Sequence, residues 1–189
     1  MRRRRRNRDR GLKIFAAVVA VAAAFSFPAV PGTLAEGKTM AEKLRLESKA
    51  FPHNGMIPPE FTCDGADRNP PLSIRFLPHG TRSLALIVDD PDAPRGTWVH
   101  WVLWNIAPGT AEIPAGSVPV GALQGRNDFG KLSYGGPCPP SGTHRYFFKL
   151  YALDAPLPLR AGAAKAQLEE AMKGHILAEA ELVGLYRRK

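Results

Sequence analysis

A mainly β domain built as an antiparallel sandwich, with a helix near the C-terminus, is the fold class that the sequence predicts. From Phe51 onward short apolar runs alternate with Pro, Gly, Asp and Asn clusters, the signature of short strands and turns. Two longer segments read with a period of two residues, and one segment is convincingly helical. With 189 residues, of which 18 are Gly and 18 are Pro, the chain suits one turn-rich domain with a sizeable core.

In chain order, Leu72–Phe76 alternates apolar with polar residues, and Ser83–Val88 is a nearly continuous apolar run, which predicts the more buried strand. Along Trp98–Ile106, strict alternation puts Trp98, His100, Val102, Trp104 and Ile106 on one face and Val99, Trp101, Leu103 and Asn105 on the other. Both faces are largely apolar, so this is a central strand carrying His100 on a stiff element. His144–Leu153 behaves likewise, with His144, Tyr146, Phe148, Leu150 and Ala152 on one face. The spacing of Ala164, Leu168, Ala171 and Met172 predicts a helix over Ala161–Lys173, ended by Gly174. Ile176–Tyr186 follows as a final strand.

The front of the chain reads differently. Arg2 to Arg6, Arg8, Arg10 and Lys13 precede Ile14–Phe27, which holds no charge, and the small residues of Thr33-Leu34-Ala35 follow. A basic start, a short apolar stretch and a small-residue site form a secretory signal peptide over residues 1–35, cleaved after Ala35. The alternative is an uncleaved anchor, against which the apolar stretch falls short of the ~20 residues that span a bilayer, so no integral membrane span is expected after processing. Residues 36–50 read as an exposed, charged lead-in, and residues 51–189 as the domain.

Of the formal charge of +9, +7 resides in that front segment, since residues 36–189 hold 18 of the 26 basic and 16 of the 17 acidic groups and are nearly balanced. No basic stripe beyond Arg187-Arg188-Lys189 supports nucleic-acid binding. Export to an oxidising compartment favours a disulfide between Cys63 and Cys138, the only cysteines, over a metal or redox role.

Two loops carry the chemistry. Asp89-Asp90-Pro91-Asp92-Ala93-Pro94 crowds three carboxylates at a strand end, where prolines stiffen the chain. Crowding should raise a pKa or recruit a cation, with His100 the natural candidate. Gly135-Gly136-Pro137-Cys138-Pro139-Pro140-Ser141-Gly142-Thr143 runs into the strand of His144, and its amides suit an anion nest. An ordinary acidic turn and a structural histidine are the plain alternatives for each loop taken alone. His53, His79 and His175, beside turns or the helix end, read as exposed or capping residues.

Asp90 to Pro94 followed by Trp98-Val99-His100-Trp101, and Gly136 through Tyr146, resemble the two signature motifs of the phosphatidylethanolamine-binding protein family. Phe61-Thr62-Cys63-Asp64-Gly65, Asn69-Pro70-Pro71-Leu72-Ser73 and Asn127-Asp128-Phe129-Gly130-Lys131 resemble its bacterial Raf-kinase-inhibitor-like branch. The resemblance runs from about Leu46 to Tyr186. It implies a two-sheet β-sandwich with a small anion pocket that takes phosphate, acetate, cacodylate or a phosphoethanolamine head group. The matching ligand-binding positions are Asp90, His100, the Pro139-Pro140 wall, His144 and Tyr146, with Trp98 as a further wall. Asp92, Pro94 and Gly136 join them from the same loops, and Phe129 is a candidate for the lining. Only Arg95-Gly96-Thr97 stands where animal members carry a long insertion, so lipid-tail contacts made there are not expected. Cys63 and Cys138 would fall near the pocket mouth.

The expected function is therefore an exported binder of a phosphate-bearing small molecule or phospholipid head group, needing no cofactor and no metal. Inhibition of a protease or other protein partner through surface contacts is a second reading, and kinase inhibition fits export poorly. An acid–base enzyme using Asp90, His100 and His144 is a third. Against it, Ser141 and Thr143 lie outside any Gly-x-Ser-x-Gly elbow and no HExxH motif is present, so no catalytic residue is assigned.

Overall fold

The computed structural model describes residues 43–188. The signal segment read over residues 1–35 and the first part of the lead-in lie outside them. The strands are β1 (Arg45–Glu47), β2 (Gly55–Met56), β3 (Leu72–Arg75), β4 (Ser83–Asp90), β5 (Trp98–Ile106), β6 (Glu112–Ile113), β7 (Leu123–Gln124), β8 (Thr143–Leu153) and, after helix α1 (Lys165–Met172), β9 (Ile176–Arg187). The fold is mostly β, in a three-stranded sheet ordered β1-β3-β6 and a six-stranded sheet ordered β2-β9-β8-β4-β5-β7. Strands pair antiparallel except that the short edge strand β2 runs parallel to β9.

The period-two pattern decides which residues fill the core. Leu84, Leu86 and Val88 of β4 pack with Phe148 and Leu150 of β8 and with Leu46, Leu72, Ile74 and Ile113 of the smaller sheet. The intervening Ala85 and Ile87 pack instead with Leu168 and Met172 of α1. Each of the larger side chains, Ala85 excepted, contributes about 1.5–3 kcal/mol by leaving water. β4 is buried along its whole length, as its unbroken apolar run predicts.

Three details depart from expectation. The lead-in is not wholly exposed: Leu44 and Leu46 are buried, because β1 pairs with β3 and closes the core. The helix begins at Lys165 rather than Ala161, since the preceding backbone is engaged elsewhere. There the Gly162 amide donates to Gln124 O at 2.8 Å and Ala163 O accepts from the Arg126 amide at 3.1 Å. Strict alternation also fails in β5. Trp101, Leu103 and Ile106 face the inter-sheet core, whereas Val99, Val102 and Trp104 face the helix side.

Two bulges cause that break. Val88 opposes Trp101 and Asp89 opposes Val99, which leaves His100 as an extra residue on β5. A second irregularity falls at Asn105, whose φ is 54° and whose amide group pairs with both the N–H and the C=O of Leu157, at 2.8 and 3.0 Å. Asn tolerates this left-handed geometry better than most residues.

Candidate functional site

β4 ends in two adjacent carboxylates that point to opposite faces. Asp89 is fully buried toward the helix side, where Lys149 Nζ donates to its two oxygens at 2.8 and 3.0 Å and Lys165 Nζ lies 3.4 Å away. Asp90 takes the other face. Its Oδ1 accepts the Asp92 amide at 2.8 Å and its Oδ2 accepts from His144 Nδ1 at 2.8 Å. Asp92 in turn receives three bonds from Arg145, from Nε, Nη2 and the backbone amide. The Arg145 hydrogen bonds hold the Asp92 carboxyl down to about 2. The crowded carboxylates thus recruit cations from β8 and α1, and it is His144 rather than His100 that hydrogen-bonds Asp90.

His100 is positioned by a clasp from the loop that follows β7. Its Nδ1 lies 2.6 Å from Gly135 O, while its own carbonyl accepts from the Gly135 amide at 3.0 Å and from Asn127 Nδ2 at 3.2 Å. One residue back, the Val99 amide donates to Asp128 Oδ2 at 2.7 Å. The bulge leaves these backbone groups unpaired within the sheet, and the Asn127-Asp128 turn satisfies them. The ring stands edge-on to Tyr146 and Phe129, at 5.2 and 5.4 Å between centroids. Burial lowers the His100 pKa, only partly offset by the Gly135 carbonyl and the Asp90 and Asp89 carboxylates.

A cleft of about 240 Å³ opens above these groups, lined by Asp90, Ala93, Pro94, Trp98, His100, Phe129, Cys138, Pro139, Pro140 and His144. The structure therefore brings Asp90, Pro94, Trp98, His100, Pro139, Pro140 and His144 to one lining and adds Phe129.

Asp92, Gly136 and Tyr146 stand outside the lining. Asp92 stiffens the first loop through Arg145. Gly136 holds the second loop down, its amide donating to Asp67 Oδ1 at 2.6 Å. With the Gly135 amide bound to His100 O, neither glycine amide is available for an anion nest. Tyr146 lies beneath the cleft, its hydroxyl buried with no hydrogen-bond partner among the described residues. Burial, then the Asp90 carboxylate, raises its pKa.

Cys63 and Cys138 form a disulfide, with Cα atoms 5.4 Å apart, and Cys138 lies in the cleft wall. Sequence reasoning missed Asp67 and Ala93. Asp67, at a φ of 50°, follows Gly65 and Ala66 in a loop whose sequence gives no sign of its distant partner. Among the other histidines, His175 pairs with Asp154 at 2.8 Å near the surface, and His53 Nδ1 accepts the Val183 amide at 3.2 Å.

Chemically the arrangement is two anchored imidazoles beside a carboxylate in a rigid, largely apolar cleft. No Ser, Thr or Cys hydroxyl or thiol bonds to either imidazole among the described residues, so no activated nucleophile is assembled. No cluster of three metal-ligating side chains is present among the described residues either. Fold and cleft together define a β protein with a small cleft at the end of a sheet.

A family model described as phosphatidylethanolamine-binding protein matches residues 47–187. A UPF0098 protein of Methanothermobacter thermautotrophicus is 54% identical over 150 residues, covering 77% of this chain and 99% of that protein. One from Pyrococcus horikoshii is 52% identical, covering 78% and 79%. Two crystal structures are similar. A phosphatidylethanolamine-binding protein homologue from Chlamydia trachomatis has a TM-score of 0.75 and 42% identity, covering 78% of this chain and 99% of that one. YbcL of E. coli, described as a new member of the mammalian family, has a TM-score of 0.74 and 31% identity, covering 78% and 100%. The chain belongs to the phosphatidylethanolamine-binding protein family. The resemblance read from the two loop motifs is therefore borne out, and membership supports a binding role.

Proposed function

We propose that this protein is an exported, non-enzymatic binder of a phosphate-bearing small molecule or phospholipid head group, held in the Asp90–His100–His144 cleft. One observation carries the reading. Two imidazoles, each fixed through Nδ1, converge on a Pro-walled cleft of head-group size with each Nε2 unpartnered among the described residues. Imidazole nitrogens in a largely apolar cleft suit a phosphoryl group, and Trp98 and Phe129, 5.5 Å apart edge to face, give the ligand's apolar part a wall.

Export is supported by the basic and apolar N-terminal sequence and by a disulfide, which persists in oxidising compartments. Mass spectrometry of the protein expressed with its N-terminus intact tests this. A mature form beginning at Glu36 is expected, and an intact N-terminus would contradict it.

The binding test is calorimetric or NMR titration of the purified protein with inorganic phosphate and O-phosphoethanolamine. Saturable binding is expected for the wild type, with a loss of at least tenfold in His100→Ala and His144→Ala variants shown to be folded. Absence of binding by the wild type would contradict the reading and turn attention to surface contacts with a protein partner.

A further inference from the structure

The cleft has a neighbour at the same end of the six-stranded sheet. Strand order β2-β9-β8-β4-β5-β7 places the cleft over the ends of β8, β4 and β5, with β9 and β2 next in line beyond β8. There a second groove, of about 510 Å³, lies between β2, the Pro58-Pro59 segment and the end of β9. His144 of the cleft and Tyr186 of the groove stand opposite each other across the β8–β9 ladder, so their side chains share a face with Cβ atoms about 5 Å apart.

Between cleft and groove runs the Cys63–Cys138 disulfide. Cys138 lines the cleft, Asp64 beside Cys63 lines the groove, and both cysteines are exposed with their Cα atoms 5.4 Å apart. The sill between the two hollows is therefore short and made of sulfur, a polarizable and weakly polar atom. The groove itself presents carbon. Met56 is 54% exposed, and Ile57, Pro58 and Pro59 continue its surface. Of the polar residues there, Asp64 accepts from the Tyr186 hydroxyl at 2.7 Å and from Arg188 Nε at 3.2 Å, which leaves Arg187 as the polar side chain without a bond to another among the described residues. Backbone pairing sets the groove's shape, since the Ile57 amide donates to Leu185 O at 2.7 Å and two prolines fix the chain that follows.

We propose, resting on the binding reading above, that this groove receives an acyl chain of a lipid whose head group is held in the cleft, the chain crossing the disulfide. A chain leaving the cleft meets either water or apolar surface, and each methylene moved from water onto carbon is worth up to about fourfold in affinity. A peptide suits the groove less well, because its backbone brings N–H and C=O groups that need partners where most polar groups are already taken. On the opposite side of the cleft, Trp98 and Phe129 are the competing surface for the chain.

Calorimetric titration of the purified protein tests this with O-phosphoethanolamine and with butanoyl, hexanoyl and octanoyl lysophosphatidylethanolamine, each below the concentration at which it forms micelles. Affinity should rise with chain length, by about two- to fourfold for each added methylene. Met56→Lys should flatten that rise, and Met56→Leu should retain it. Because Met56 does not line the cleft, both variants should keep their affinity for O-phosphoethanolamine within about twofold of the wild type.

The Met56 methyl group provides a check that needs no variant. Its NMR signal should shift when octanoyl lysophosphatidylethanolamine is added and stay in place when O-phosphoethanolamine is added. Affinity that ignores chain length, with O-phosphoethanolamine still bound, overturns the inference and leaves the binding reading intact. A rise with chain length that Met56→Lys does not alter, together with an unmoved Met56 methyl, overturns it too and assigns the chain to Trp98 and Phe129. Absence of binding by every ligand overturns both.

Discussion

His100 shows how one side chain's surroundings become a property of the whole protein. Buried and bonded to Gly135 O, it has a folded-state pKa below its ordinary 6.5. In the window between that lowered value and 6.5 the unfolded chain takes up a proton that the folded chain refuses, so stability rises with pH there. The contribution is present in full above 6.5 and is lost on acidification, at no more than about 1.4 kcal/mol per pH unit. Urea denaturation at pH 7.5 and pH 5.5 should show a steeper loss for the wild type than for His100→Gln, which does not titrate. Equal losses would mean that His100 is not held neutral by the fold. Asp92 acts at lower pH and in the same direction. Its stabilising pairing with Arg145 is in full effect above its ordinary 3.8 and fades as the pH falls through about 2.

Strands and loops explain why some of this was legible in advance and some was not. The alternation in β8 placed Tyr146, Phe148, Leu150 and Ala152 on the inter-sheet face correctly, because β8 pairs with β9 in unbroken register from Thr143 to Ala152. In β5 the same alternation grouped Trp101 with Leu103 and Val102 with Trp104 correctly but put Val99 and Ile106, beyond the two bulges, on the wrong faces, since a bulge is specified by distant partners such as Asn127 and Leu157 that local periodicity does not contain. The motif loops identified much of the cleft lining, yet local sequence did not reveal that Gly136 meets Asp67 instead of a ligand. That contact carries a prediction at the scale of the element. A Cβ on Gly136 would lie 2.7 Å from Thr62 Cα and 2.8 Å from Phe61 O, both backbone atoms that cannot rotate away. Gly136→Ala should cost about 1–3 kcal/mol by overpacking and displace the second loop. Gly142→Ala, in open space at a φ of 70°, should cost only ~1 kcal/mol through its backbone conformation. Chemical denaturation of the two variants checks the ranking, and equal costs would contradict it.

Across the whole molecule, one covalent bond joins the stability of the fold to the shape of the cleft. The Cys63–Cys138 disulfide spans 75 residues and ties the loop before β3 to the cleft wall. Closing a loop of that length in the unfolded chain is worth about 4 kcal/mol in the chain-entropy account, a large share of the 5–15 kcal/mol typical of a domain. The same junction is held by noncovalent ties. Tyr134 donates to Phe61 O at 3.0 Å, Tyr186 donates to Asp64 Oδ2 at 2.7 Å and the Cys63 amide donates to Pro137 O at 3.1 Å. These bonds should keep the loop in place when the disulfide is cut, so reduction should weaken the fold globally before it distorts the site. The double variant Cys63→Ser/Cys138→Ser should melt about 10 °C lower than the wild type, given that 1 kcal/mol shifts a domain of this size by ~2–4 °C. At temperatures well below its own melt it should keep its affinity for O-phosphoethanolamine within about threefold, because the hydrogen bonds and not the sulfur bridge orient His100 and His144. An unchanged melt would remove the disulfide from the stability account. A lower melt accompanied by a tenfold loss of affinity in the cold would show that the bridge shapes the cleft directly.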